Sequence, residues 1–466
     1  MQINTTTIKF GTDGWRGIIG DDFTFANVRL VSQAIADYYK HTFKEKKIRI
    51  AVGYDTRFQS DTFARLVAEV LSANGIEVIL SDRAVPTPTL SFAVKNRKMT
   101  AGIMITASHN PAFYNGIKIK TAEGGAAPVE LTRQVEKLLG ANPILIEPSA
   151  SVLEDNLTGE YIDFLRRYVD MKQLRRARFR VLVDAMHGSG DSFLAEVLKA
   201  TPVKLEFLRT EPNPSFGGLR PEPILENLRV SYERMKKGDF DLGIVLDGDA
   251  DRIAAFCGKG EFINPQKILG LLILHLIQDR GMNGAVVKTV VGSNLIDNIC
   301  NTLHLKLYQT PVGFKYISEL MVKENILIGG EEAGGIGFKN YIPERDGSLA
   351  GLLLLEMMAF RKKPMLALLK EMEREFGRYY YLRTEVHLKK QLDLNMLRDI
   401  KNIFGKKVSS IDDTDGIKFI LEDRSWLMLR ASGTEPIIRV YAESEEKNTT
   451  VAMLEFGKEL ISKYVV

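Results

Sequence analysis

One pattern occurs three times along the 466 residues and constrains the fold more than any other feature. A β-branched run opens each unit: 48–52 (IRIAV), 179–183 (FRVLV) and 285–291 (AVVKTVV). A stretch with apolar residues at helical spacing follows, as in 62–74 (TFARLVAEVLSAN). A second short apolar strand then runs into a polar or Gly-rich loop: 101–111 (AGIMITASHNP), 242–252 (LGIVLDGDADR) and 326–335 (ILIGGEEAGG). Strands alternating with helices predict three α/β units. Ligands of such sheets gather where loops leave strand ends, so three loops of different chemistry predict three domains facing one cleft.

A chain of this length exceeds what one core can hold. Candidate linkers at 141–151, 257–260 and 362–365 divide it into domains 1–150, 151–257 and 258–368, with a fourth at 369–466. Past Arg378 the pattern changes. Residues 379–386 read as a strand, 394–404 as a helix, 417–420 and 425–430 as strands, and 449–464 as a closing helix. That order predicts a smaller α+β domain.

Composition excludes several classes. Lys and Arg number 63 against 59 for Asp and Glu, a net charge of +4 that makes no case for nucleic acid. Cys257 and Cys300 form no disulfide framework and no CxxC metal site, which fits a reducing compartment. The apolar stretches 269–277 and 349–360 fall well short of the roughly 20 residues a membrane span needs, and predict buried helices. No secretory signal is evident at the start. The expectation is a cytoplasmic enzyme acting on small molecules, as a monomer or homodimer.

The loops carry the chemistry. In 106–111 (TASHNP), Ser108 stands at a strand end beside His109 and Asn110. A hydroxyl there is exposed as a nucleophile or phosphoryl carrier, or it simply caps a turn. Asp247, Asp249 and Asp251 alternate in LDGDADR. Carboxylates so close repel unless a divalent cation compensates, and oxygen-only ligands favour magnesium. The Gly and distal Glu of a calcium loop are missing. Arg252 follows, in reach of a phosphate or of a ligating carboxylate. In GGEEAGG, Glu331 and Glu332 are framed by glycines, a form suited to sugar hydroxyls or to an acidic turn. In 430–439 (RASGTEPIIR), hydroxyls, successive N–H groups and flanking arginines make an anion nest without the Lys of a P-loop.

Together with 10–17 (FGTDGWRG) and 115–118 (NGIK), these four loops resemble the α-D-phosphohexomutase superfamily, in the right order and over nearly the whole chain. The resemblance implies that Ser108 is the phosphoserine and that Asp247, Asp249 and Asp251, with the serine phosphate, hold Mg2+. It implies that Arg16 and Lys118 flank the transferring phosphoryl group, Lys118 assisting proton transfer; His109, whose side chain is expected to point away from its neighbour Ser108 in an extended loop, is read as supporting bound phosphate. Glu331, with Glu332 and Lys315, would read the sugar. Arg430, Ser432, Gly433, Thr434 and Arg439 would clamp the phosphate that is not reacting. The implied fold is three α/β domains with mixed sheets around a central cleft, plus a TATA-box-binding-protein-like C-terminal domain.

The segment 310–315 (TPVGFK) resembles the glucose-phosphate mutases. The implied reaction interconverts hexose 1- and 6-phosphates, with hexose 1,6-bisphosphate (glucose 1,6-bisphosphate) as intermediate and activator. A phosphomannomutase, or an enzyme of dual specificity, is the alternative on the same scaffold. Ala333 departs from the pattern, standing where those loops carry Ser. A catalytically silent sugar-phosphate sensor would need no phosphorylatable serine beside three aspartates.

Overall fold

A computed structural model describes residues 8–11, 13–44, 47–146, 152–190, 193–388, 392–431 and 437–464. By internal contact the chain forms two units: Met1–Asn283 with Gly313–Leu368, and Gly284–Val312 with Leu369–Val466.

The larger unit opens with a six-stranded mixed sheet in the order Trp15–Ile18, Tyr114–Thr121, Ala101–Ile105, Arg49–Tyr54, Glu77–Ser81, Val152–Asp155. The last four run parallel, and the first two pair antiparallel. The helix Ser60–Ala73 shows how its residues were chosen. Phe63, Leu66, Val67, Val70 and Leu71 recur at helical spacing and are buried, while Asp61 in the first turn complements the helix dipole. Burying each large apolar side chain stabilises by about 1.5–3 kcal/mol, so Val67→Asp would break this layer. A second sheet follows in the order Glu261–Ile263, Ile253–Cys257, Leu242–Leu246, Arg180–Asp184, Lys204–Leu208. Residues 313–368 add the antiparallel pair Ile326–Gly330 and Ile336–Phe338.

The smaller unit holds the parallel pair Ala285–Thr289 and Leu307–Thr310 and a six-stranded antiparallel sheet. Its order is Tyr380–His387, Ile437–Ser444, Trp426–Ala431, Ile417–Leu421, Lys406–Asp412, Asn402–Ile403. The helix Lys447–Tyr464 covers one face, with Met453, Leu454, Leu460 and Ile461 packed against Phe419, Leu427 and Val440.

The apolar stretches expected to be buried helices are Pro265–Leu274 and Gly347–Arg361. Among the described residues, no helix is long and apolar enough to cross a membrane. One expected helix is wrong. Only a single turn, Leu394–Leu397, is helical in 394–404, and Asn402–Ile403 is a strand. Phe404 and Gly405 both take positive φ, 50° and 75°, the two-residue turn that folds this strand onto Lys406–Asp412.

Candidate active site

Ser108 lies where the chain leaves Ala101–Ile105 and bends back into Tyr114–Thr121. It is fully buried, and its φ is +52°. That left-handed backbone is disfavoured for any residue with a Cβ, so the surroundings must hold it. Its N–H donates to Thr106 Oγ1 at 2.8 Å, and its Oγ donates to Asp247 Oδ2 at 3.1 Å. His109 is half-buried beside it. Arg16 donates from Nη1 to Asn110 Oδ1 at 2.6 Å, from a strand that pairs with the returning one.

The three aspartates occupy the turn between Leu242–Leu246 and Ile253–Cys257. Ala250, also left-handed at φ +54°, reverses the chain between Asp249 and Asp251. All three carboxylates are fully buried, and one oxygen of each lies within 4.8 Å of the others. Burial, then Asp251 and Asp249, pushes Asp247 well above the usual carboxylate range. Asp249 Oδ1 and Asp251 Oδ1 accept no hydrogen bond among the described residues although they are buried. Dry, mutually repelling oxygens without donors are what a divalent cation needs, so the site fits one. Arg252 donates its N–H to Asp247 Oδ1 at 3.0 Å, and its Nε stands 3.7 Å from Asp251 and 3.9 Å from Asp247.

Alternation along Tyr114–Thr121 sends Ile117 and Ile119 into the core and Lys118 and Lys120 to the opposite face. Lys118 Nζ meets Asp249 at 2.8 Å, Asp13 at 3.0 Å and Asp251 at 3.1 Å. Burial works to lower its pKa, but these three carboxylates outweigh it and hold the ammonium protonated. In this state Lys118 supplies positive charge; acting as a base would require those contacts to open. Lys120 pairs with buried Glu344.

Glu331 and Glu332 are both nearly buried. Glu331 N–H donates to Gly335 O at 2.9 Å, closing a turn that continues onto the aspartate loop through Ile253 N–H to Gly334 O at 3.0 Å. Gly334 has φ +101°, and a Cβ there would meet Ile253 O at 2.6 Å. That glycine serves contact with the neighbouring loop. Lys315 is nearly buried in the first turn of Phe314–Lys323, its Nζ 5.0 Å above the Tyr316 ring.

Arg430 and Arg439 belong to the smaller unit, as direct cross-strand partners in its sheet. Like charges so placed repel, and each is held by an acid: Arg430 by Asp415 at 2.7 Å, Arg439 by Glu385 at 3.1 Å. Ser432, Gly433 and Thr434 lie outside the described residues.

The sequence reading missed the residue that ties the larger unit's site together. Arg345 joins Asp13 at 2.6 Å, Asp251 at 2.7 Å and Glu331 at 3.2 Å. Its local signal, an arginine between two acids in YIPERDG, is ordinary. Asp13, inside FGTDGWRG, carries no signal of its own. Thr87, which donates to Asp249 Oδ2 at 2.5 Å, and Arg57, beneath the serine loop, carried no signal either.

Comparison with known proteins agrees with this geometry. Profiles for phosphoglucomutase/phosphomannomutase α/β/α domains I, II and III match residues 7–143, 159–260 and 264–376, and the C-terminal domain profile matches 384–455. A phosphoglucomutase/phosphomannomutase of Thermococcus kodakarensis is 30% identical over 97% of this chain and 98% of its own. A phosphoglucosamine/phosphogalactosamine mutase of Sulfurisphaera tokodaii is also 30% identical, over 97% and 98%. A solved protein of Thermus thermophilus, provisionally described as a phosphomannomutase, shares 34% identity with TM-score 0.88, over 98% and 99% of the two chains. An N-acetylphosphoglucosamine mutase of Aspergillus fumigatus, solved with GlcNAc-6P and magnesium, shares the fold alone at 17% identity and TM-score 0.61, over 94% and 99%. With three α/β domains, a C-terminal domain and a serine facing three aspartates, the chain belongs to the phosphoglucomutase/phosphomannomutase family of α-D-phosphohexomutases.

Proposed function

We propose that the protein interconverts the 1- and 6-phosphates of a hexose, glucose foremost, through a phosphorylated Ser108 and a hexose 1,6-bisphosphate. The observation that carries this reading is the buried Ser108 Oγ, 3.1 Å from the first of three clustered aspartates. Mg2+ held by Asp247, Asp249, Asp251 and the serine phosphate would offset charge on the transferring phosphoryl group.

The chain's own groups do the rest. The bond from phosphorus to Ser108 Oγ breaks as one to the free sugar hydroxyl forms, and the hydroxyl's proton is matched by the one Oγ regains. Lys118 and Arg16 supply positive charge beside that transfer. Glu331, kept in place by Arg345, accepts hydrogen bonds from sugar hydroxyls, with Glu332 and Lys315 supporting. Arg430 and Arg439, with Ser432, Gly433 and Thr434, take the phosphate at the sugar's other end. Because the bisphosphate must return its other phosphate to Ser108, such a clamp has to accept either end. His109 supports bound phosphate, and Arg252 steadies the aspartates. Glucose 1,6-bisphosphate serves as activator. Catalysis of this kind by one chain suits a cytoplasmic monomer or homodimer.

The Sulfurisphaera tokodaii relative named for amino sugars is as similar as the Thermococcus kodakarensis one named for glucose and mannose, and it supplies the second reading. TPVGFK, with its buried Lys315, favours a neutral sugar over one bearing an ammonium group. Coupled assays on glucose, mannose and glucosamine 1-phosphates, with catalytic bisphosphate and Mg2+, decide it. Glucose and mannose should differ by about 10- to 100-fold in kcat/KM, the range of one weak differential contact. A glucosamine preference would overturn the neutral-sugar assignment.

A further inference from the structure

The corner between Arg49–Tyr54 and Ser60–Ala73 touches the serine loop more closely than any sequence motif suggested. Arg57, 3% exposed, spreads its guanidinium beneath that loop. Nη2 donates to Ser108 O at 2.6 Å and Asn110 O at 2.7 Å; Nη1 donates to Pro111 O at 2.8 Å and Tyr114 O at 3.0 Å. Asp55 stands behind it, with Oδ2 3.2 Å from Arg57 Nε. That same Oδ2 accepts from Thr106 Oγ1 at 2.5 Å, and Thr106 Oγ1 in turn accepts the Ser108 N–H at 2.8 Å. Asp55 Oδ1 accepts from Arg57 N–H at 3.0 Å and from Ser60 Oγ at 2.8 Å.

One buried ion pair therefore holds both sides of Ser108, the N–H through Thr106 and the carbonyl directly. The metal loop closes on the same carbonyl: a Cβ on Gly248 would lie 2.6 Å from Ser108 O. Arg57 reaches the second α/β domain too, its guanidinium 4.9 Å above the Phe216 ring. These contacts surround the one residue whose left-handed backbone, φ +52°, sets where Oγ points.

We propose that Arg57 is the positioning residue of the phosphoryl carrier, holding the strained Ser108 backbone so that Oγ, and any phosphate on it, faces the three aspartates. This rests on the phosphoserine reading above. Only a planar fork serves four carbonyls through its two terminal nitrogens while its charge faces the Asp55 carboxylate behind; lysine has three donors and no fork. Nothing places Arg57 against the sugar, so its loss should act on phosphoryl alignment and leave sugar binding in place.

The test uses the full-length protein with Mg2+ and the variants Arg57→Gln and Arg57→Lys. Thermal melting establishes folding, steady-state kinetics separates kcat from KM, and hydrogen exchange with mass spectrometry follows residues 106–114. Arg57→Gln should lose about 100-fold in kcat, the cost of misplacing a reacting group by an ångström, with KM for glucose 1-phosphate changed less than about threefold. Exchange in 106–114 should accelerate, and Arg57→Lys should recover part of both losses. A folded Arg57→Gln with kcat near wild type, or with exchange unchanged, overturns the proposal. Should Arg57→Gln fail to fold, Arg57→Lys carries the same readouts, and wild-type kcat with wild-type exchange in it overturns the proposal equally. A wild-type protein without mutase turnover or phosphate on Ser108 would instead sink the carrier reading, and the exchange data would still report whether Arg57 holds the loop.

Discussion

Lys118 is 1% exposed among three carboxylates, whereas Arg430 and Arg439 keep 12% and 29% of their side-chain surface in water. In the proposed function both regions meet a phosphate, yet they are built differently. Around Lys118, Asp249 and Asp251 are fully buried and Asp13 partly so, and each cation is shared: Lys118 by Asp13, Asp249 and Asp251, Arg345 by Asp13, Asp251 and Glu331. Breaking a lone buried pair costs about 3–5 kcal/mol, and a shared set spreads that cost, since each charge keeps other partners when one is removed. In the C-terminal sheet, Glu385, Arg439 and Arg430 form a row across three strands, and the acids that hold the arginines are themselves 25% and 38% exposed. Pairs reached by water are worth less than buried ones, down to about 0–1 kcal/mol when fully exposed, so an incoming phosphate would displace these more easily. A centre where bonds are made gains from fixed charges in a dry setting. A clamp that must take either end of a bisphosphate, and then release it, gains from replaceable ones.

The largest expected effect lies in the buried region. Ser108→Ala should cost at least about 1,000-fold in kcat, because the covalent carrier is gone. One lost hydrogen bond, about 1 kcal/mol, should move Tm by only a few degrees. Intact mass should show a phosphate on the wild type and none on the variant, and near-wild-type turnover would end the phosphoserine account.

Asp249→Asn comes next. It removes a charge from the cluster and a partner from Lys118, so calorimetry should show Mg2+ binding weakened by at least about 10-fold, with activity collapsing alongside. Turnover that survives both this change and exhaustive chelation would reduce the aspartate loop to a turn.

Arg439→Gln probes the exposed region, and its effect should be of a different kind. Losing one charge-assisted hydrogen bond should raise KM by about 10-fold with kcat nearly unchanged. Added salt should raise the wild-type KM more than that of the variant, since exposed charges are screened within about 10 Å at 0.1 M. A fall in kcat without a change in KM would erase the contrast between the two regions.

Ala333→Ser should do least. Restoring a hydroxyl to the sugar loop should shift KM by about 2- to 10-fold, the worth of one hydrogen bond, and equally for glucose and mannose phosphates. An effect confined to one sugar would show that this loop reads C2.

Much of the site was legible in the sequence. Ser108, Asp247, Asp249 and Asp251 stand at strand ends, where a short apolar run gives way to polar residues, and the structure brings all four together. Lys118 was legible only through the resemblance of 115–118 (NGIK); that it lies between Ile117 and Ile119 on a buried strand and faces acids is a finding of the structure. Arg57, Thr87 and Arg345 were not. Each comes from a different segment, and each is defined by partners dozens to hundreds of residues away: Arg57 and Ser108 are 51 apart, Thr87 and Asp249 162, Arg345 and Asp13 332. The C-terminal hairpin was misread for a local reason. Residues 394–404 carry helix-compatible apolar spacing, and the left-handed pair Phe404–Gly405 outweighs it.

By itself the sequence determined where strands end, which loops bear carboxylates and hydroxyls, and that three similar α/β units precede a different fourth. Periodicity and turn chemistry are properties of neighbouring residues, so a linear string retains them. Only the tertiary structure decided which charges compensate which: that Arg345 links Asp13 to Asp251 of the aspartate loop and to Glu331 of the GEEAGG loop, and that Arg57 and Asp55 hold the strained serine from beneath. The reason is that a buried charge is tolerated only beside its counter-charge, and which segments supply that counter-charge is settled by how strands and helices pack.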